Sequence, residues 1–245
     1  MSSKSNSSTI QGELLYGAHS IIEMLKAKRR KLISLYTTKP LPKAWERITP
    51  YLPKYVPNIQ YVSRDVLDRM AGIPDHNGIV AWVTPFKFAT TLFTPKEKPF
   101  ILVLDSLQDV RNVGAILRSA YCIGIDGIVM CKSKAALMSP ATHRASSGLA
   151  EHLSIYQAAS LRQAVAELKQ SGYNLYMATL NGTNATEVTY QSPMAVVIGN
   201  EATGITSEIK KFGTAVTLPQ RSVDLSYNAS VAAGILMFLI AQQKK

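Results

Sequence analysis

Cysteine is scarce in this chain, which has two, Cys122 and Cys131, in 245 residues. Both lie among apolar residues with no second Cys or His beside them, which excludes a disulfide framework and a zinc knuckle. A reducing, cytoplasmic compartment is the default expectation. Acidic residues are also few, 16 against 27 Lys and Arg, which leaves a net charge of +11. An excess of that size suits a polyanionic partner such as nucleic acid, and a solvated basic surface would produce the same count. Long hydrophobic runs are missing. The longest, Val231 to Ala241, is well short of the roughly 20 residues that cross a bilayer, so no membrane span is expected. The stretch Met1 to Thr9 is rich in Ser and Asn and lacks the apolar core of a secretory signal, so residues 1–12 read as a disordered tail. With 47% hydrophobic and only 18% charged residues, disorder is excluded for most of the length. One or two globular domains follow.

The segment 84–98 breaks periodicity with Pro85 and Pro95 and carries Lys87, Lys96 and Lys98, as an interdomain linker would. Up to Lys98 there are 15 Lys and Arg against 7 Asp and Glu, and beyond it 12 against 9, so the positive charge is concentrated in the N-terminal part. Within residues 13–83, Ile21, Ile22 and Leu25 suggest a short helix, and Leu32 to Tyr36, Ile59 to Val62 and Ile79 to Val83 suggest strands. Ser63, with Asp65 behind it, reads as the cap of a further helix through Met70. This is the pattern of a small α+β domain. Lys26, Lys28, Arg29, Arg30 and Lys31 sit where the first helix should end. Compensation of the helix dipole explains part of that cluster, and phosphate contact would explain the rest. In residues 99–245, apolar runs at Phe100 to Leu104, Gly127 to Met130, Leu175 to Ala178, Ala195 to Ile198 and Ala215 to Leu218 alternate with helical patterns. Repeated β-α units predict an α/β domain with a parallel sheet covered on both faces.

Three segments stand at the carboxyl ends of predicted strands, where open α/β sheets place their ligands. In the first, Asp105 to Ala120, the residues Val113, Ile116, Leu117 and Ala120 form an apolar helical stripe behind Asn112, and Arg118 falls off that stripe. On spacing, Asn112 is a helix cap before it is a ligand. In the second, Ile198 to Gly204, glycines at 199 and 204 flank the single carboxylate of Glu201. This loop is not a G-x-G-x-x-G or G-x-x-x-x-G-K pattern, so neither a dinucleotide nor a triphosphate is indicated. In the third, Leu218 to Ala233, Ser226, Asn228 and Ser230 precede or open a helix that is apolar nearly all round. Ser226 and Asn228 can cap that helix, and its apolar surface must be buried in the domain or against another subunit. No hydrolytic triad is convincing, and His19, His76, His143 and His152 show no ligand or base spacing.

Taken together, these segments resemble the motifs of the SpoU family, the TrmH-like ribose methyltransferases of the SPOUT superfamily. Asp109-x-x-Asn112-x-Gly114-x-x-x-Arg118 is similar to the first motif and Gly199-x-Glu201-x-x-Gly204 to the second. Leu218-Pro219 with Ser226-Tyr227-Asn228-Ala229-Ser230 is similar to the third. Before the linker, Gly17-Ala18-His19-Ser20 and His76-Asn77-Gly78-Ile79-Val80-Ala81 resemble the substrate-binding domain of the guanosine ribose methyltransferases of large-subunit ribosomal RNA. That domain is itself similar to a small RNA-binding ribosomal protein. Val110, Gln220 and Tyr227 stand where the family generally has Pro, Met and Leu, and none of them removes a polar group that the chemistry would use.

The resemblance implies transfer of a methyl group from S-adenosyl-L-methionine to a ribose 2′-hydroxyl of RNA, and because the sequence offers no His/Cys cluster the cofactor is expected to bind without metal. It also implies a homodimer and a catalytic domain with a C-terminal trefoil knot. By position, Arg118 would lie by the target ribose, Asn112 and Ser226 would orient the reacting groups, and Glu201 and Asn228 would hold the motif loops and the cofactor or nucleotide. Thr179, Gly199, Leu218 and Tyr227 match cofactor-pocket positions. A transfer-RNA enzyme would share all three motifs, whereas the N-terminal motifs favour ribosomal RNA. A non-catalytic RNA-binding protein would have lost the motif polar groups, and Asn112, Arg118, Glu201, Ser226 and Asn228 are all present.

Overall fold

The computed structural model describes residues 12–55, 58–133, 135–136, 138–221 and 226–243. All but the last residue of the expected tail lies outside them. The chain divides into two compact units, Met1–Lys87 and Phe88–Lys245.

The first unit runs β1 (Glu13–Tyr16), α1 (Ala18–Ala27), β2 (Leu32–Thr37), α2 (Lys43–Ile48), β3 (Ile59–Tyr61), α3 (Arg64–Ala71) and β4 (Ile79–Val83). The sheet order is β1-β4-β2-β3, with β4 antiparallel to β1 and β2, and β2 parallel to β3. Ile21 and Met24 of α1 pack on Leu15, Leu35, Ile79 and Ala81, and all of these side chains are buried. Neither β1 nor α2 was expected from the sequence: each is a few residues long, too short for a period to show. Helix α3 begins directly after Ser63, although the serine side chain makes no capping bond.

The basic cluster needs correcting at one position. Arg30 is an internal strut: it is buried, its Nη2 lies 2.7 Å from Glu13 Oε2, and its Nε donates to the Thr84 carbonyl at 2.6 Å. Burying a guanidinium demands such partners, so Arg30 is spent on folding. Lys26 pairs with Glu23 one turn before it, at 2.8 Å.

The second unit runs β5 (Phe100–Leu104), α4 (Val110–Ile123), β6 (Gly127–Cys131), α5 (Pro140–Ala145), β7 (Ile155–Ala158), α6 (Leu161–Gln170), β8 (Asn174–Asn184), β9 (Met194–Ile198), α7 (Ser207–Lys210), β10 (Thr214–Thr217) and α8 (Ala229–Gln243). Its six strands are all parallel, in the order β10-β8-β9-β5-β6-β7. The two central strands, β5 and β9, are buried at every residue, as their unbroken apolar sequences require. Ile101, Val103 and Val197 meet the apolar side of α6 and α7. Helix α4 packs on α8, and α8 also reaches β9. Strand β7 was not anticipated, because four residues at a sheet edge carry no legible period. Residues 88–98 hold no helix or named strand, but Ala89 donates to the Ile155 carbonyl at 2.7 Å and Phe93 is buried in the core of the second unit. Among the described residues no helix is long and apolar enough to cross a membrane.

Candidate active site

Helix α4 opens on Asp109, whose carboxylate accepts from the Arg111 backbone N–H at 2.8 Å. The cap is therefore Asp109, and the expectation that Asn112 caps this helix is corrected. Standing already inside the first turn, Asn112 is free to point its amide elsewhere. The Arg111 guanidinium and N–H on Asp109 hold its carboxyl below the usual carboxylate range. Its contribution is present at neutral pH and is lost as the pH falls through that lowered value. Asp109→Ala should cost about 1 kcal/mol of stability, as loss of an N-cap does. Amide exchange at residues 110–113 should then quicken relative to the rest of α4.

The loop after β9 is closed on itself, with Asn200 N–H donating to the Gly204 carbonyl at 3.1 Å and Gly204 N–H to the Asn200 carbonyl at 2.8 Å. It is also tied to the end of β5. Asp105, buried, accepts from Thr206 N–H at 2.7 Å, and the Asn200 side chain donates to the Ser106 carbonyl at 3.0 Å. Glu201 sits at the head of this loop and accepts from the Asn112 amide. Asn112 in turn accepts from the Asn228 amide at 3.1 Å. Asn228 Oδ1 receives the Ser230 N–H at 2.9 Å and its hydroxyl at 2.6 Å, so it caps α8 as well. One hydrogen-bonded line thus joins Glu201, Asn112 and Asn228 across the ends of β5 and β9 and the start of α8.

Beside this line is a cavity of about 470 Å³. One wall is Ala178 to Asn181, part of the stretch 178–182 that leaves the β8–β10 ladder: Ala215 pairs with Met177 and Val216 with Thr183. Sequence periodicity stopped β8 at Ala178 and gave no sign that the strand resumes. Thr179, Gly199, Leu218 and Tyr227 all line the cavity, as do Glu201 and Ser226. Thr179 Oγ1 donates to the Asn181 carbonyl at 2.7 Å and Tyr227 to the Pro219 carbonyl at 3.2 Å, so both hydroxyls brace loops. Residues 222–225 of the third motif segment lie outside the described residues.

Arg118 stands apart from the Glu201–Asn112–Asn228 line. Six residues beyond Asn112 on α4, it is roughly 9 Å further along the axis and about 120° round it. Val113, Ile116, Leu117 and Ala120 are fully buried, whereas Arg118 is exposed and donates to Ser147 Oγ at 3.1 Å. No sequence signal marked Ser147. Among the histidines, His76 is buried, 2.7 Å from Asp68 and accepting from Gly78 N–H, and His143 is buried 3.2 Å from Glu151.

The first unit carries a second concave surface, a cleft of about 420 Å³ whose walls include Lys43, Arg47 and Arg64. Tyr61 is exposed close by in sequence, with the Lys39 ammonium 4.1 Å from its ring. Several cations and an exposed aromatic ring suit a nucleic-acid strand.

Comparison with known proteins agrees with both units. Residues 99–238 match the profile of the SpoU rRNA methylase family, and residues 14–89 match a profile described as RNA 2′-O ribose methyltransferase substrate binding. YacO of Bacillus subtilis, provisionally named a TrmH family tRNA/rRNA methyltransferase, is 32% identical over 96% of this chain and 97% of its own. The 23S rRNA (guanosine-2′-O-)-methyltransferase RlmB of Shewanella oneidensis is 28% identical, covering 95% of this chain and 98% of its own. Among solved structures, the SpoU methyltransferase AviRb of Streptomyces viridochromogenes, in complex with AdoMet, superposes with a TM-score of 0.80. It is 19% identical over 95% of this chain and 90% of that one.

Proposed function

The chain belongs to the SpoU rRNA methylase family, and from that premise we propose that it methylates a ribose 2′-hydroxyl of large-subunit ribosomal RNA, at a guanosine, using S-adenosyl-L-methionine. The observation that carries this reading is the meeting of Asn112, Glu201 and Asn228, drawn from three distant segments, beside one cavity. Ribosomal rather than transfer RNA is supported by the first unit, which matches a substrate-binding profile and aligns along its length with relatives named for 23S rRNA.

The cavity fits the cofactor. At about 470 Å³ it is within the range of small-molecule sites, and Leu218, Leu236 and Ile198 give it an apolar lining with polar loops at its edge. When bound, the cofactor supplies an electrophilic methyl group. The protein must then bring a hydroxyl of very weak acidity into line and stabilise the negative charge that grows on its oxygen. Arg118 does the second, at that oxygen or the neighbouring phosphate. Glu201, Asn112 and Asn228 hold the loop walls rigid, and Ser226 orients the nucleotide. The second unit carries the family's C-terminal trefoil knot, a reading that the excursion of residues 178–182 and the placing of α8 residues at the cavity support.

Val231, Ile235 and Phe238 form an exposed apolar stripe on α8, which supports a homodimer. Light scattering at micromolar concentration should give twice the 26.8 kDa chain mass, and Phe238→Glu should shift it towards a monomer. The Lys43, Arg47 and Arg64 cleft grips the RNA backbone. Replacing all three by Ala should flatten the plot of log affinity against log salt by about 2, at 0.7 per single-strand phosphate contact. Cofactor-induced thermal stabilisation should be unchanged.

The central test is mapping of ribose methylation in ribosomal RNA from cells with and without the protein, alongside melting of the pure protein with millimolar cofactor in excess chelator. One missing guanosine methylation and a raised melting temperature are expected. Transfer RNA losing the mark instead would reassign the substrate, and an unshifted melting temperature would sink the reading.

A further inference from the structure

Arg118 is a long, exposed side chain, and such chains sample many rotamers unless something holds them. Here Ser147 does so, its Oγ accepting from Nη1 at 3.1 Å. Ser147 has φ 53°, in the left-handed region that non-glycine residues adopt only at a cost. Backbone strain of that kind persists where the surroundings over-determine it, and it collects at functional positions.

The surroundings do over-determine this turn. Ser147 N–H donates to the Arg144 carbonyl at 3.0 Å and Gly148 N–H to the His143 carbonyl at 2.8 Å. The Ser146 hydroxyl donates to the same His143 carbonyl at 2.9 Å. Beneath the turn, His143 and Glu151, each 1% exposed, lie 3.2 Å apart and join α5 to the short 3-10 turn Leu149–His152. Above it is Gly114 of α4. A Cβ there would fall 2.3 Å from Ala145 Cβ and 2.9 Å from Ser146 N, so only glycine lets the helix and the turn approach this closely. Gly114 and Arg118 are four residues apart and therefore share a face of α4. The face that seats the turn is the face that presents the arginine.

We infer that Ser147 is the positioning residue for Arg118, fixing the guanidinium so that its remaining donors face the reacting ribose or its phosphate. The inference rests on the reading of Arg118 as the group that stabilises the transition state. Of the five guanidinium N–H groups, the serine engages one, leaving four for RNA.

Two substitutions test this. Ser147→Gly removes the hydroxyl while relieving the backbone strain, so the fold should be kept or stabilised. Ser147→Asn retains an acceptor on a residue that tolerates the left-handed region. Methyl transfer to ribosomal RNA should show kcat lowered about tenfold by Ser147→Gly, the loss of one hydrogen bond to a charged group, with KM and the melting temperature not worsened. Ser147→Asn should recover most of that loss. Wild-type kcat in Ser147→Gly beside an inactive Arg118→Ala would overturn the inference and leave the function standing. An active Arg118→Ala would instead remove the catalytic premise. Equal loss in the Gly and Asn variants would tie the effect to the turn and also overturn it.

Discussion

Arg118→Ala is expected to lower kcat for methyl transfer by on the order of 10² to 10³, the range seen when one preorganised donor is removed from a site of developing negative charge. Fold and cofactor affinity should survive. The buried stripe of α4 is Val113, Ile116, Leu117 and Ala120, and Arg118 lies off it, exposed, so truncation opens no cavity. Nor does the arginine line the 470 Å³ cavity. Arg118→Lys should rescue poorly. An ammonium is a single charge on a flexible stem and cannot keep one donor on Ser147 while offering a planar fork to the ribose or phosphate. Tritiated methyl transfer by wild type and both variants, with melting curves as the folding control, decides the matter. Activity of Arg118→Ala within a few-fold of wild type would make this an ordinary surface arginine.

Gly199→Ala should abolish cofactor-induced stabilisation and activity together. The Cβ it adds would sit 2.2 Å from Gly204 C and 2.3 Å from Ile205 N, against backbone that has no rotamer to escape into. To accept it, the loop must give up the paired bonds between Asn200 and Gly204, and with them the placement of Glu201 against Asn112. Gly204→Ala is the control. At Gly204 no atom lies within 4 Å of the new Cβ, and the cost is only the left-handed φ of 66°, about 1 kcal/mol. Calorimetry with the cofactor should therefore show binding lost in Gly199→Ala and largely kept in Gly204→Ala. Equal binding by the two variants would mean that the close approach at Gly199 is not what shapes the site.

In the first unit, two of the five cations crowded around the end of α1 are engaged within the fold. Lys26 to Lys31 stands out in the sequence because five cations crowd six positions. Arg30, however, is buried on Glu13, and Lys26 is paired with Glu23. The cleft cations Lys43, Arg47 and Arg64 are spread over two helices and form no run, so only the fold of the first unit, which brings α2 and the start of α3 to one cleft, makes them neighbours.

What the sequence determined by itself is the set of features fixed by local burial. The continuous apolar runs of β5 and β9 read as buried central strands, and the spacing of Val113, Ile116, Leu117 and Ala120 reads as one face of a helix, leaving Arg118 outside it. Motif resemblance added which polar residues to watch. The tertiary structure alone decided which of them touch. Asn112 meets Glu201 across 89 positions and Asn228 across 116, and no local period encodes the register that brings three strand-end segments to one line. It also moved the helix cap from Asn112 to Asp109, extended β8 beyond an excursion at residues 178–182, and set Ser147 under Arg118. The physical reason is the same in each case. Periodicity reports the side of an element that leaves water, whereas a hydrogen bond between distant residues depends on how whole elements pack, and that is settled by the sum of the core.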